Sequence, residues 1–404
     1  MPNPVIRAHR VEGTGLAAIQ VWLRGGSRAE SIPGQASITG RMLAEGTRSR
    51  DWRQISLAAE ERGMALSSFG GFEVLGVMAE ALANDWRLAL DWALELALEP
   101  AFPEDRCELL VRQNLAELEA LADQPEIRVA WSFLGQLYAP HPRSRPVQGT
   151  REGLTQVLPD SCFELHQQSV EQGPIISVAG EIEEERVRDA IESHLRQIEQ
   201  ETAVAEEPPP PEGLESSKQQ ISLSGGEQAH LIVGHLTIPR AHPDFAALEL
   251  LGVILGTGSG LSGRIPRRVR EREGLAYSVE TGVTAGAGLD PGRLFVHLGT
   301  SLELLERAER CVREELERLV EVGPSSQEVE EARSYLIGRE PFRREAPHQV
   351  AELAAAAELY GLPIDDPEWV IQRWRSADRD EVASVAKRHL RPDALRITVG
   401  RPNS

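Results

Sequence analysis

Chemistry that needs a metal or a nucleophile shows first in the spacing of histidine, cysteine and serine. In this chain of 404 residues most of those spacings are wrong. None of the ten histidines recurs at i+3 or i+4, so no two imidazoles share a helix face as a zinc site would require. Cys107, Cys162 and Cys311 are an odd number at wide spacings with no CxxC pair, which argues against a disulfide framework and suits a reducing cytosol. No G-x-S-x-G elbow presents a serine nucleophile, and no cysteine or serine has a signalled histidine partner. The run Gly256-Thr257-Gly258-Ser259-Gly260-Leu261-Ser262-Gly263 could cradle a phosphate. However, a phosphate loop follows a strand and opens a helix; here Phe245 to Leu255 reads as helix and no G-K-[ST] follows. Further on, Arg270 belongs by pattern to a solvated charge run. Tyr277 opens the alternation Tyr277, Val279, Thr281, Val283, which by periodicity alone makes it a core aromatic at a strand start.

The elements that would position these residues fall into two halves. Ala203 to Gly213 contains four consecutive prolines, which continue neither helix nor sheet, so 203–214 reads as a linker between an N-terminal domain, 1–202, and a C-terminal domain, 215–404. Each half opens with a strand-like run (Leu16 to Leu23; Ala229 to Ile238) and later has a second (Val74 to Met78; Leu294 to Leu298). An amphipathic helix follows in each, through Leu88, Trp92 and Leu96 in the first and through Leu304, Ala308, Cys311, Leu316 and Leu319 in the second. A proline-led break then starts another helix, near Pro103 and at Pro324, where Ser325 and Glu328 have capping-box spacing. The order of elements predicts an α+β protein of two similar domains, each an antiparallel-rich mixed sheet with helices on one face.

Composition narrows the function. Lys plus Arg total 43 against 63 Asp plus Glu, a formal charge of −20, which disfavours nucleic acid and anionic membranes as partners. No apolar run approaches a membrane span and the first residues lack a signal-peptide core, so the expected location is cytoplasmic.

Four segments carry a resemblance. Gly34-Gln35-Ala36-Ser37-Ile38-Thr39-Gly40-Arg41-Met42-Leu43-Ala44-Glu45-Gly46-Thr47, preceded by Gly26-Ser27-Arg28-Ala29-Glu30, resembles the zinc-site helix of the pitrilysin/insulinase superfamily of metallopeptidases, in the branch related to mitochondrial processing peptidase. Gly34, Ala36, Met42, Gly46 and Thr47 match in register, but the HxxEH positions are Ser37, Gly40 and Arg41. These residues offer a poor ligand, no general base and a fixed positive charge, so no metal is expected in this chain. Glu117, at about the family's spacing for the third ligand, reads either as a relic of it or as an ordinary exposed glutamate. Gly256 to Ser278 resembles the family's carboxy-domain signature L-G-x-G-x-x-S-R-L-x-x-x-x-R-x-x-x-G-L-A-Y-S. Leu137 to Pro142 with Pro146 to Thr150, and Ile175 to Ile182, resemble scaffold segments of the same family.

The resemblance implies roles. An arginine and a tyrosine seven apart in that signature are thought to hold the scissile carbonyl and its oxyanion, and Arg270 and Tyr277 have that spacing. In the family's non-metal subunits the glycine loop contacts substrate, which here points to Gly256, Gly258, Gly260 and Gly263. The chain is therefore expected to be the non-metal subunit of a heterodimeric, clamshell-forming zinc peptidase acting on extended or unfolded peptides. It would lack zinc itself and depend on a partner that carries HxxEH and the zinc. The competing expectation is an inert scaffold, as a homodimer or as a core subunit of a larger complex.

Overall fold

One strand in each half, buried on both faces, sets the architecture. From Ala17 to Leu23 every residue is buried, with Ala17, Ile19, Val21 and Leu23 on one face and Ala18, Gln20 and Trp22 on the other. A strand buried on both faces must lie inside a sheet with cover on both sides. The computed structural model describes residues 5–195, 207–211, 215–224, 228–258 and 263–402, so of the linker 203–214 only 207–211 are described.

The strands are β1 (Val5–Arg10), β2 (Leu16–Arg24), β3 (Ala65–Gly70), β4 (Val74–Leu82), β5 (Ile175–Gly180), β6 (Ser217–Leu223), β7 (Ala229–Leu236), β8 (Ser278–Ala285), β9 (Arg293–Thr300) and β10 (Arg396–Pro402). The helices used below are α1 (Gln35–Met42), α2 (Trp86–Leu98), α3 (Glu104–Ala122), α4 (Pro125–Tyr138), α5 (Phe245–Leu255), α6 (Leu305–Val322), α7 (Ser326–Arg339) and α8 (Pro347–Tyr360).

One sheet runs β1-β5-β2-β4-β3 and the other β6-β10-β7-β9-β8, the same order displaced by five strands. In each, the first strand pairs in parallel with the last and all other pairings are antiparallel. The repeat expected from the order of elements is thus a repeat of topology. The helix starts agree too: the Ser325 hydroxyl accepts the Glu328 N–H and the Glu328 carboxylate accepts the Ser325 N–H.

The compact units do not follow the halves of the sequence. Met1–Glu119, Arg145–Pro209 and Phe342–Asp365 form one; Ala120–Ser144, Pro210–Pro341 and Asp366–Ser404 form the other. Each half therefore lends a helix to the other's sheet. In the first unit α2 covers Ile19, Val21 and Leu23, while α8 lays Ala355 and Leu359 on the opposite face against Trp22, Val74 and Ile175. The second unit repeats this: Leu231 and Val233 face the main core, and α4 packs Val129, Phe133 and Leu137 on Ile232 and Leu223. Close approach of α4 explains Gly400, where an added Cβ would sit 2.4 Å from the Val129 side chain. Among the described residues no helix is long and apolar enough to cross a membrane, and the three cysteines are buried free thiols.

Two buried histidines, His166 and His235, and the half-buried His297 set an acid limit on this fold. The His235 Nδ1–H donates to the Leu236 carbonyl and its Nε2 accepts the Arg391 N–H, which fixes the neutral ring. His166 Nε2 bonds the Ala97 carbonyl while its buried Nδ1 has no partner. Burial holds His166, His235 and His297 near a pKa of about 4, below the usual 6.5. Between those values the unfolded chain binds protons that the folded chain refuses, so stability rises with pH across the window and is lost on acidification. Each group costs roughly 3 kcal/mol once pH has fallen to 4. Urea unfolding at pH 7 and pH 4.5 should show a large loss of stability, relieved in part by His166→Gln; a flat profile would contradict the assignment.

Candidate functional site

Helix α1 is held in place at its start by Glu30. Its carboxylate accepts the N–H groups of Gly34 and Ala36 at 3.2 and 3.0 Å, two donors the helix itself cannot satisfy. Burial raises its pKa to about 7, against the pull of those bonds and of Arg145. Gln35 is pinned as well: it donates to the Ser161 carbonyl at 2.7 Å and accepts the Ser31 N–H at 3.1 Å.

At the three positions that should hold metal chemistry the structure has something else. Ser37 is buried. Gly40 faces the backbone of β3, where an added Cβ would lie 2.1 Å from Gly70 N and 2.2 Å from the Phe69 carbonyl carbon. Arg41 points its guanidinium at α3, where Nη1 lies 3.2 Å from both Glu117 oxygens and Nη2 3.1 Å from Gln113 Oε1. The structure thus brings Glu117 to the position-41 side chain, 76 residues away in sequence. A guanidinium occupies the place of a cation beside it. With no imidazole, no room for a general base and a resident positive charge, the residues present do not fit a zinc ion.

Arg41 and Glu117 are 28% and 54% exposed, so their pairing is screened. Arg41→Ala should lower unfolding free energy by less than about 1 kcal/mol in urea melts. A loss several times larger would mean that the pair holds α1 on α3.

Among the described residues one other group gathers metal-binding side chains, His242, Asp244 and His389. There Asp244 Oδ2 already receives His389 Nε2 at 2.6 Å and Arg388 Nε at 3.0 Å, and His242 Nδ1 accepts the Asp244 N–H. It is a polar clasp between the start of α5 and the C-terminal segment, its carboxylate taken up by a guanidinium.

The second constellation lies in the other unit. After α5, Gly256 and Gly258 take φ of 134° and 107°, a region that favours glycine. A Cβ on Gly263 would lie 2.1 Å from Gly256 Cα, and one on Gly258 would lie 2.3 Å from the Tyr335 hydroxyl. These glycines let the loop's own ends meet and let it pass Tyr335, which accounts for them without any substrate. Gly260 lies outside the described residues.

The chain then forms a wide turn over Arg267–Arg272, closed by a Glu273 N–H bond to the Arg268 carbonyl five residues back. Val269 and Leu275 anchor it in the core, and the Leu275 N–H donates to Val269 while its carbonyl accepts the Thr300 hydroxyl. From this fixed base Arg270 projects into solvent, and Tyr277, one residue before edge strand β8, is 82% exposed. Tyr277 is no core aromatic. Among the described residues neither Arg270 nor Tyr277 makes a hydrogen bond or ion pair, whereas Arg264 is bound to Glu328 and Arg268 to Glu273, Glu314 and Glu315.

The model of the family described as Insulinase (Peptidase family M16) matches residues 8–151, and that of the Peptidase M16 inactive domain matches residues 175–336. The chain belongs to peptidase family M16. The first match takes in α1 and Glu117; the second takes in Arg270 and Tyr277. An uncharacterized zinc protease of Mycobacterium leprae is 28% identical over 70% of this chain, in a stretch that spans only 63% of that relative's length. A protein of Helicobacter pylori named a non-peptidase homolog is 23% identical over 91% of this chain and 84% of its own. The crystal structure of a peptidase M16 inactive domain from Pseudomonas fluorescens has the same fold, with a TM-score of 0.89 at 22% identity over 100% of this chain and 96% of that one. Both M16 halves are therefore present here, and the half that carries the zinc helix in this family has lost its ligands.

Proposed function

We propose that this chain is the non-zinc subunit of a two-chain M16 peptidase acting on extended or unfolded peptides. The observation that carries the reading is the pair Arg270 and Tyr277, a guanidinium and a phenol held by a buried base, both exposed and, among the described residues, without bonds of their own. A buried side chain would need its partners inside the fold; these two are free to take theirs from outside it. Peptide hydrolysis places negative charge on the carbonyl oxygen, and these are the donor types that stabilise it. A homologous partner with an intact HxxEH helix would supply zinc and the attacking water, and this chain the two donors and half of an enclosing chamber. Among the described glycines of the loop, Gly256 and Gly263 are buried and Gly258 is exposed, so peptide contact there would be through the backbone of Gly258. We place the pair in the cytoplasm, where three buried free thiols persist.

The Helicobacter pylori relative, named a non-peptidase homolog, favours a second reading, an inert scaffold. One experiment separates them: the purified chain is mixed with an HxxEH-bearing M16 homologue from the same organism, and cleavage of an unfolded peptide is followed. Activity in the mixture and in neither chain alone supports the subunit reading. Inactivity of the mixture supports the scaffold.

A further inference from the structure

The net charge of −20 conceals a local inversion. Arg264, Arg267, Arg268, Arg272, Arg318 and Arg379 line a half-open cavity of about 450 Å³ in the second unit, against only two lining carboxylates, Glu315 and Glu328. We infer that this cavity binds a compact multivalent anion of the oligophosphate class.

Both carboxylates are already spent. Glu328 receives Arg264 Nε and Nη2 at 2.7 and 2.9 Å and the Ser325 N–H at 2.8 Å; Glu315 receives Arg268 Nη1 at 3.2 Å. Arg379 donates from Nε to the Pro324 carbonyl at 3.0 Å. These bonds fix three guanidiniums as a wall. Arg272 and Arg318 are different: both are exposed, and among the described residues neither has a hydrogen bond or ion pair. Like charges gathered on one concave surface repel, and an anion between them removes that repulsion while gaining forked, charge-assisted bonds. The start of α7, at Ser325 on the cavity rim, adds its positive end. At physiological salt, charges beyond about 8 Å are largely screened, so only nearby acids count; Glu273 and Glu314 beside Arg268, and Asp380 beside Arg379, offset those guanidiniums and leave the positive field to Arg272 and Arg318. The volume exceeds what one phosphate fills. An anion that reaches Arg272 and Arg318 together needs several oxygens along its length, which favours linked phosphates over a single one.

Calorimetry on the full chain with inorganic triphosphate, at constant ionic strength, tests this. One saturable site is expected, at least tenfold tighter than for orthophosphate. Arg272→Ala/Arg318→Ala should weaken it by about tenfold per lost contact with an unchanged thermal midpoint, because neither side chain serves the fold. Arg318→Gln alone should give an intermediate loss, which keeps the test valid if the double variant folds poorly. Absence of saturable binding at millimolar triphosphate, equal affinity for orthophosphate, or affinity unchanged in the variants would overturn the assignment.

Discussion

Gly40→Ala should destabilise this protein by about 3 kcal/mol, the upper end of what one added methyl group costs in a packed contact. The new Cβ would lie 2.1 Å from Gly70 N, 2.2 Å from the Phe69 carbonyl carbon and 2.4 Å from its oxygen, all backbone. A flexible side chain could turn away, but β3 cannot. Phe69 and Gly70 are paired with Gly76 and Leu75 of β4, and a Cβ on Gly70 would in turn meet the Ala36 carbonyl oxygen at 1.9 Å. Helix and strand are in contact through two glycines, and relief means unzipping an edge strand. Urea or thermal unfolding checks this, with Arg41→Ala one residue along as the mild comparison. A Gly40→Ala protein within 1 kcal/mol of the parent would show that β3 yields. By the same argument Ser37→His/Gly40→Glu/Arg41→His, which writes HxxEH back into the sequence, gives misfolded protein and no hydrolase. The metal site has been closed by packing as well as by loss of ligands.

Much of this was legible in the residues. The strand-like run at Leu16 to Leu23 and the capping box at Ser325 are local signals, and local structure obeys them. Glu117 could be suspected from spacing alone, but sequence could not distinguish a relic ligand from a surface glutamate; the Arg41 guanidinium at 3.2 Å shows what it now does. The exchange of α4 and α8 left no trace, because an apolar stripe such as Val129, Phe133, Leu137 states that a helix is buried and not against which sheet. The reason for glycine at 256 and 263 was equally hidden, since a contact between two loop ends has no periodicity. Tyr277 shows the opposite failure: its strand-like alternation is real, but the strand begins at Ser278 and leaves the ring in solvent.

In the active two-chain mixture, Tyr277→Phe and Arg270→Ala should each lower kcat/KM about 10²–10³-fold while leaving the fold of this chain untouched. The size follows from the role. A donor aimed at a developing oxyanion acts in a site that closure has freed of water, where its loss costs far more than a surface hydrogen bond. The absence of a stability effect follows from exposure. The Tyr277 hydroxyl has no partner to lose among the described residues, and Arg270 leaves no buried carboxylate behind, whereas Arg268→Ala would strand Glu315, which is 6% exposed. Thermal midpoints of the two variants should therefore match the parent, and Arg268→Ala should fall below it. If the donors act in the transition state, the loss appears in kcat with KM little changed; if they only hold the ground-state carbonyl, it appears in KM. Variants that keep full activity in the mixture would remove Arg270 and Tyr277 from the chemistry and leave this chain a share of the chamber wall alone.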